Sequence, residues 1–361
     1  MELILDKAKN QFAQKLPFVL YCKPNSEAVI GLFQQNNILH ELNDFNEKGF
    51  VFASFDGNQN YLIPENQSKR ESVVWNKKKE IVTGDLDSSF EEVAKNNFEE
   101  LVRKGIQAIE KDKFKKVVLS RKETLELDDF QFESVFENLV QLYPSTFVYC
   151  FYHPKVGMWL GATPEQLLKA NKNSFETIAL AGTQKEVGLA EIVWENKEKQ
   201  EQQIVTDYIV NKLENVATEV IVSKPYSIQA GSIWHIKTDI SGVLNADFSL
   251  QQVVCLLHPT PAVCGLPKEK AKAFILKNEN YDRDFYTGYL GELNCSFTTD
   301  LGSTDLFVNL RCMQVEVDSK KKEARVYLYM GCGITKDSEP EKEWTESINK
   351  SMTMKKVLVK N

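Results

Sequence analysis

The chain has 361 residues, a formal net charge of −7, 42% hydrophobic and 26% charged side chains. This composition is ordinary for a globular protein with a large core, and the negative balance excludes a generally basic, nucleic-acid-binding surface. Seven cysteines, odd in number, scattered and without a C-x-x-C pair, argue against a disulfide framework or a zinc site, and the four histidines show no metal-ligand spacing. The opening MELILDKAKNQF has no long apolar stretch, and no apolar run reaches bilayer-spanning length, so a cytoplasmic protein with no membrane association is expected.

Residues 1–85 read as short strands and loops, with β-like runs at Phe18–Tyr21, Phe50–Phe55 and Tyr61–Ile63. Few charged groups converge there, and the part is assigned a structural role. Asp87–Lys111 is an amphipathic helix: Ser88 and Ser89 stand at capping-box spacing from Glu91 and Glu92, and apolar residues recur every three or four positions. A strand, Lys116–Ser120, and a helix, Phe132–Leu142, follow. Thr146–His153 and Val156–Leu160 are strands. Thr163 and Pro164 then look like the cap and first position of a short helix, leaving Glu165 in its first turn.

Phe175–Leu180 is a strand closed by Ala181-Gly182-Thr183. Residues 194–216 form a long helix whose first half is nearly all charged or amide. Strands are expected around Glu219–Val222 and Ser232–Val243, and helices over Leu250–Leu257 and Pro267–Asn278. Phe285–Leu293, Asp305–Val317 and Ala324–Met330 are further strands, the last ending at a Gly331-Cys332-Gly333 turn able to form an anion-binding nest. A closing helix starts at a Ser338 cap and faces the core with Trp344, Ile348 and Met352. Strands come in consecutive groups with helices between the groups. That is an α+β pattern, and with no low-complexity linker it favours one compact domain over 1–361.

Several side chains bear chemistry. Glu346 and Lys350, four apart on the last helix, are either a solvated ion pair or a cation ligand beside an anion contact. Glu201 lies in the polar half of its helix; two carboxylates from separate helices suit Mg²⁺. Lys116 and Glu165 could serve as base and acid about one cavity, or be an ordinary strand-end lysine and helix-start acid. Arg311, the one basic residue in its apolar strand, wants an anion. His258, between an apolar helix and Pro259, reads from its surroundings as a core histidine.

In family order, FKKVVLSR (Phe114–Arg121), LGATPEQLL (Leu160–Leu168), ALAGT (Ala179–Thr183), KEKQEQQIV (Lys197–Val205), LLHPTPAVCGLPK (Leu256–Lys268), YDRDFYTGYLGEL (Tyr281–Leu293), LRC (Leu310–Cys312) and GCGITKDSEPEKEWTESINK (Gly331–Lys350) resemble the chorismate-utilising enzymes, and within them the isochorismate synthases. The resemblance covers residues 114–350. It implies a layered α+β sandwich, two antiparallel sheets enclosing helices, with residues 86–361 as the catalytic part. It implies chorismate as substrate and Mg²⁺ as cofactor, held by Glu201 and Glu346. Lys116 matches the base of the water-using members, where ammonia-using members carry glutamine, and Glu165 matches the acid. Ala181 stands where aminodeoxychorismate synthases carry a nucleophilic lysine.

By the same resemblance Arg311 and Tyr286 hold the enolpyruvyl carboxylate. Gly182, Thr183, Gly331, Gly333 and Lys350 are further anion contacts, and His258 matches a family active-site histidine. Gln202, Gln184 and Thr287 depart from the family pattern. The expected activity is isomerisation of chorismate to isochorismate, the head of menaquinone and catecholate siderophore synthesis, with no obligatory protein partner. Within the family the runner-up is a salicylate synthase, which shares these motifs, with anthranilate synthase third because of Lys116; the alternative of another class is a catalytically silent chorismate-binding module.

Overall fold

Phe18, Leu20 and Cys22 turn one way and Val19 and Tyr21 the other, yet all five are buried, so this strand is covered on both faces. The same holds for Phe147–His153 and Gly49–Ala53, and the architecture follows from it. The computed structural model describes residues 1–75, 92–185, 192–230, 233–297, 302–318 and 323–358. In chain order the first part comprises α1 (Glu2–Ala13), β1 (Phe18–Cys22), β2 (Ala28–Gln34), β3 (His40–Glu41), β4 (Gly49–Ala53), β5 (Asn60–Pro64), β6 (Ser68–Val74), α2 (Glu92–Glu110), β7 (Lys116–Asp128), α3 (Phe132–Leu142), β8 (Phe147–His153) and β9 (Gly157–Thr163). The middle comprises β10 (Gln166–Asn171), β11 (Ser174–Lys185), α4 (Asn196–Leu213), β12 (Ala217–Val222), β13 (Tyr226–Ala230), β14 (Ile233–Leu244), α5 (Leu250–Leu257), β15 (Gly265–Leu266) and α6 (Lys268–Asn278). The last part comprises β16 (Tyr289–Leu293), β17 (Thr304–Val308), β18 (Cys312–Asp318), β19 (Glu323–Ile334) and α7 (Pro340–Lys355).

Two antiparallel sheets result, as expected. One runs β15-β7-β19-β18-β9-β8-β1-β2-β6; the other runs β12-β14-β11-β10-β17-β16-β4-β5-β3, with β13 also paired to β14. Their inner faces meet in an aromatic layer. Phe52 stacks on Phe151 (4.3 Å between ring centres) and on Phe285 (4.4 Å), and Phe147 stacks on Phe307 (4.4 Å). Each such pair adds about 0.5–1.5 kcal/mol beyond the area it buries.

Helices cover the outer faces. On the first sheet, α1, α3 and the end of α7 pack over Leu160 and Leu328, and α2 and α6 over Leu119 and Ile334. On the second, α4 and α5 pack over Ala179, Ile240 and Leu306. Residues 1–75 supply strands to both sheets, with β1 against β8 and β4 against β16.

Four local expectations are corrected. Thr163-Pro164-Glu165 begins no helix: β9 ends at Thr163, the chain passes to the other sheet, and Gln166 opens β10. The following six residues find a β-ladder with β17, which a short helix could not match. Asp305–Val317 is not one strand either. It divides at Asn309–Arg311, where the chain crosses from β17 to β18 with Arg311 at φ 48°.

Gly331-Cys332-Gly333 is not a turn. β19 runs through it to Ile334, with Gly331 opposite Ser120 and Gly333 opposite Val118, so its amides join a ladder instead of forming a nest. Finally, Ser338 does not cap α7: its hydroxyl accepts from the Thr335 N–H, and the buried face carries Trp344, Ser347, Ser351 and Met354. The serines let α7 lie close to β19. Ser88, Ser89 and Glu91 lie outside the described residues.

Candidate active site

The two chain crossings open a cavity of about 680 Å³, counting its mouth, between the sheets. Its wall comes from Val118 of β7, Glu165 at the first crossing, Leu180–Thr183 of β11, Glu201 of α4, His235 of β14, and Ala262 and Val263 after α5. Tyr286 and Thr287 ahead of β16, Leu310 and Arg311 at the second crossing, Tyr329–Gly331 and Gly333 of β19, and Lys350 of α7 complete it. Glu165, Gly182, Thr183, Glu201, Tyr286, Arg311, Gly331, Gly333 and Lys350 are thus brought together from seven places in the chain.

The glycines are there to leave room. A Cβ on Gly331 would lie 2.7 Å from the Tyr286 hydroxyl, and one on Gly333 would lie 2.1 Å from Oε1 of Glu201. Gly182 sits at φ 74°, where a side chain would be strained.

Lys116 stands one step behind the wall. It is wholly buried, and its Nζ lies 2.9 Å from Oε1 of Glu201. That contact is an ion pair by distance, but it lacks hydrogen-bond alignment, so the ammonium has no well-directed acceptor. Glu165 is buried too. Burial pushes its carboxyl up to about 8, against the pull of the Lys116 ammonium and of the nearby Thr260 hydroxyl, which is not aligned for a hydrogen bond. At neutral pH Glu165 is therefore a proton carrier.

Glu346 does not line the cavity; its Oε1 pairs with Lys350 Nζ at 2.5 Å, and Lys350 also donates to the Gly331 carbonyl at 2.8 Å. Burial works to raise the Glu346 carboxyl, but the Lys350 and Lys197 ammoniums outweigh it and hold the group below the usual range. Its neighbour Glu343 behaves oppositely. Burial and the Glu346 charge push it up to about 7, with Lys197, 2.5 Å from its Oε1, pulling the other way.

Glu343 is a residue that sequence reasoning missed, although Pro340-Glu341-Lys342-Glu343 placed it one turn before Glu346. Ligand atoms of Glu343, Glu346 and Cys332 lie within 4.8 Å of one another, and second carboxylate oxygens of Glu343 and Glu198 are buried without a partner. Cys332 is a weak candidate, since its thiol is hydrogen-bonded to the Glu343 carbonyl and packs in the core. The remaining donors are hard oxygens from two helices, and that set fits a Mg²⁺ ion.

The histidine at the cavity is His235, not His258. His258 packs edge-on against Tyr289, 4.9 Å between ring centres, and does not line the cavity. His235 Nδ1 lies 2.8 Å from the Gly182 carbonyl and donates to it, which leaves Nε2 without a protein partner as an acceptor for the cavity's occupant. Burial, then the Arg311 charge, pushes this imidazole down to about 3, so it stays neutral. Its sequence signal was slight: one histidine in a strand, with its partner on another strand.

The Tyr286 ring stacks on Tyr329 at 5.3 Å. Its chain segment is pinned by Arg283, which donates to the Val118 and Val263 carbonyls at 2.7 and 2.9 Å and pairs with Glu279 at 2.6 Å.

The family described as chorismate binding enzyme matches residues 54–359. Isochorismate synthase EntC of Escherichia coli (strain K12) is 31% identical over 270 residues, 71% of this chain and 66% of EntC. The matched stretches span between 45% and 66% of the curated isochorismate synthases that resemble it. Among solved structures, DhbC from Bacillus anthracis superposes with a TM-score of 0.79 at 23% identity, over 99% of this chain and 98% of that one. MenF, the menaquinone-specific isochorismate synthase from Escherichia coli, gives 0.77 at 21% identity over 95% and 89%. At these identities the structures speak for the fold.

Proposed function

From the premise that this chain belongs to the chorismate-binding enzyme family, we propose that it is an isochorismate synthase, converting chorismate to isochorismate with Mg²⁺ bound. The observation that carries the reading is the pair formed by buried Lys116 and buried, protonated Glu165 about one cavity whose wall includes the cations Arg311 and Lys350. A lysine in its neutral form takes a proton from water as the oxygen attacks C2 of the ring. The ring double bonds shift, the C4–O bond breaks, and Glu165 delivers its proton so that the C4 hydroxyl leaves as water. One water enters and one departs, as an isomerisation requires, and in reverse the two residues exchange roles.

Arg311 and Tyr286 hold the enolpyruvyl carboxylate, with Gly182, Thr183 and Lys350 as further anion contacts. His235 accepts from the substrate through Nε2. Glu201 and Glu346, with Glu343 beside them, hold Mg²⁺. The ion supplies charge neutralisation for the ring carboxylate.

The test is to mix protein, chorismate and Mg²⁺ without an ammonia source and to separate the products chromatographically. Isochorismate at equilibrium with chorismate is expected. Salicylate with stoichiometric pyruvate would instead make the protein a salicylate synthase. A requirement for ammonia would overturn the role given to Lys116, and no product at all would leave a chorismate-binding module.

A further inference from the structure

Three lysines face three carboxylates at the metal end of the cavity. Lys116 lies 2.9 Å from Glu201, Lys197 lies 2.5 Å from Glu343, and Lys350 lies 2.5 Å from Glu346. Each of the three ammoniums thus offsets a carboxylate before any metal binds. A divalent ion entering this cluster meets three ammoniums, and like charges a few ångströms apart at such a site repel by kilocalories. Two of the lysines have work in the reaction: Lys116 as base, Lys350 on substrate and the Gly331 carbonyl. Lys197 has none.

Lys197 is also placed to leave. Its side chain is 22% exposed, against 0% for Lys116 and 14% for Lys350. It borders a groove on the outer side, where Glu195 and Asp337 stand. Its charge acts on Glu346 and Glu201 as well as on Glu343, so it neutralises the cluster as a whole. Glu343 itself is fully buried, with one carboxylate oxygen on Lys197 and the other unpartnered.

We propose that Lys197 is a built-in place-holder cation: its ammonium holds the acidic cluster together in the metal-free protein and gives way to Mg²⁺, moving to the outer groove where Glu195 and Asp337 offer other carboxylates. The inference rests on the reading of Glu201 and Glu346 as Mg²⁺ ligands. It makes Lys197 a competitor of the metal, which sets the sign of its effect. A lysine that only packs would, when removed, lower stability and leave metal affinity unchanged or weaker. A competitor would, when removed, lower metal-free stability and raise metal affinity.

Lys197→Met and the polar Lys197→Gln are compared with wild type, free of substrate. Mn²⁺ is titrated by electron paramagnetic resonance and displaced with Mg²⁺, and thermal melts are recorded with and without Mg²⁺. Both variants are expected to bind the ions about tenfold more tightly. Their metal-free Tm falls and the rise in Tm on adding Mg²⁺ grows. Wild-type binding with unchanged or weaker binding in the variants overturns the role of Lys197 and leaves the metal reading standing. No saturable binding by wild type overturns both.

Discussion

Gly333→Ala isolates the geometry between Lys116 and Glu201, the proposed base and metal carboxylate. The new methyl carbon would fall 2.1 Å from Oε1 of Glu201, 2.8 Å from its Cδ and 3.1 Å from Cε of Lys116. Gly333 cannot yield, because β19 is locked to β7 opposite Val118, and Lys116 is wholly buried. Nor is φ positive there, so the substitution acts through space alone. The carboxylate must retreat by more than about 1 Å to reach van der Waals contact. Stretching its pair with Lys116 from 2.9 Å to about 4 Å loses on the order of 1.5 kcal/mol at an effective dielectric of about 20. A displacement of about 1 Å at a positioned group is worth about 10²-fold in rate. The expected result is therefore a kcat/KM for isochorismate formation lower by about 10²-fold, with a raised Mg²⁺ requirement and a Tm only a few degrees lower. Rates at graded Mg²⁺ and a thermal melt check it. Wild-type kcat/KM with an unaltered Mg²⁺ titration would refute the placement of Glu201 between Lys116 and the cavity.

Glu165→Gln should lose about 10²–10⁴-fold in turnover and, separately, show a signed pH effect on stability. Because burial lifts Glu165 to about 8 from its usual 4.5, the folded protein holds a proton that the unfolded chain has released at neutral pH. The stability from this protonated form is full below 4.5 and is lost as pH rises through 8. Wild type should therefore weaken relative to the glutamine variant between pH 5 and 8, by up to ~1.4 kcal/mol per unit, in urea melts; a constant difference would remove the raised carboxyl. His235→Asn should lower kcat/KM about tenfold, the scale of one lost hydrogen bond to substrate. Since the imidazole is already neutral, wild-type kcat/KM should show no inflection near 6–7 from it; one that disappears in His235→Asn would refute the neutral assignment.

Where periodicity governs, the sequence was readable. Phe132–Leu142 and Leu250–Leu257 form the expected helices because their apolar residues repeat with the helical period and pack on a sheet. α1 escaped notice, its Ile4, Leu5 and Ala8 making too brief a stripe. Phe18–Tyr21 and Phe50–Phe55 were legible as strands, but with both faces buried FVLYC and GFVFA carry no polar alternation, and nothing local says to which sheet each belongs. Hence Pro164-Glu165 looked like a helix start and Asn309–Arg311 like strand interior, when both are crossings. Most of the residues that line the cavity were legible through their ordered motifs, which tie together positions that propensity treats singly. His258 was taken from the family resemblance, although its surroundings read as those of a core histidine; His235 went unnoticed because the hydrogen bond that orients it goes to a carbonyl on a neighbouring strand.

The crossings also explain why the chemistry sits where it does. Inside a ladder each side chain goes either into the aromatic layer or under a helix, and neither place accepts a charge without a partner. Where the chain leaves one sheet for the other the ladder ends, and a side chain can point into the gap between the sheets. Glu165 and Arg311 occupy those two positions. The remaining room is made inside the ladder by leaving side chains out, at Gly331 and Gly333, and the Glu201 carboxylate of α4 reaches the gap over Gly333. Lys116, first residue of β7, is the exception that needs a counter-charge, and Glu201 provides it through the space left by Gly333. Lys116 and Glu201 are thereby linked through a missing side chain, so the two cannot be altered independently by any substitution that fills it.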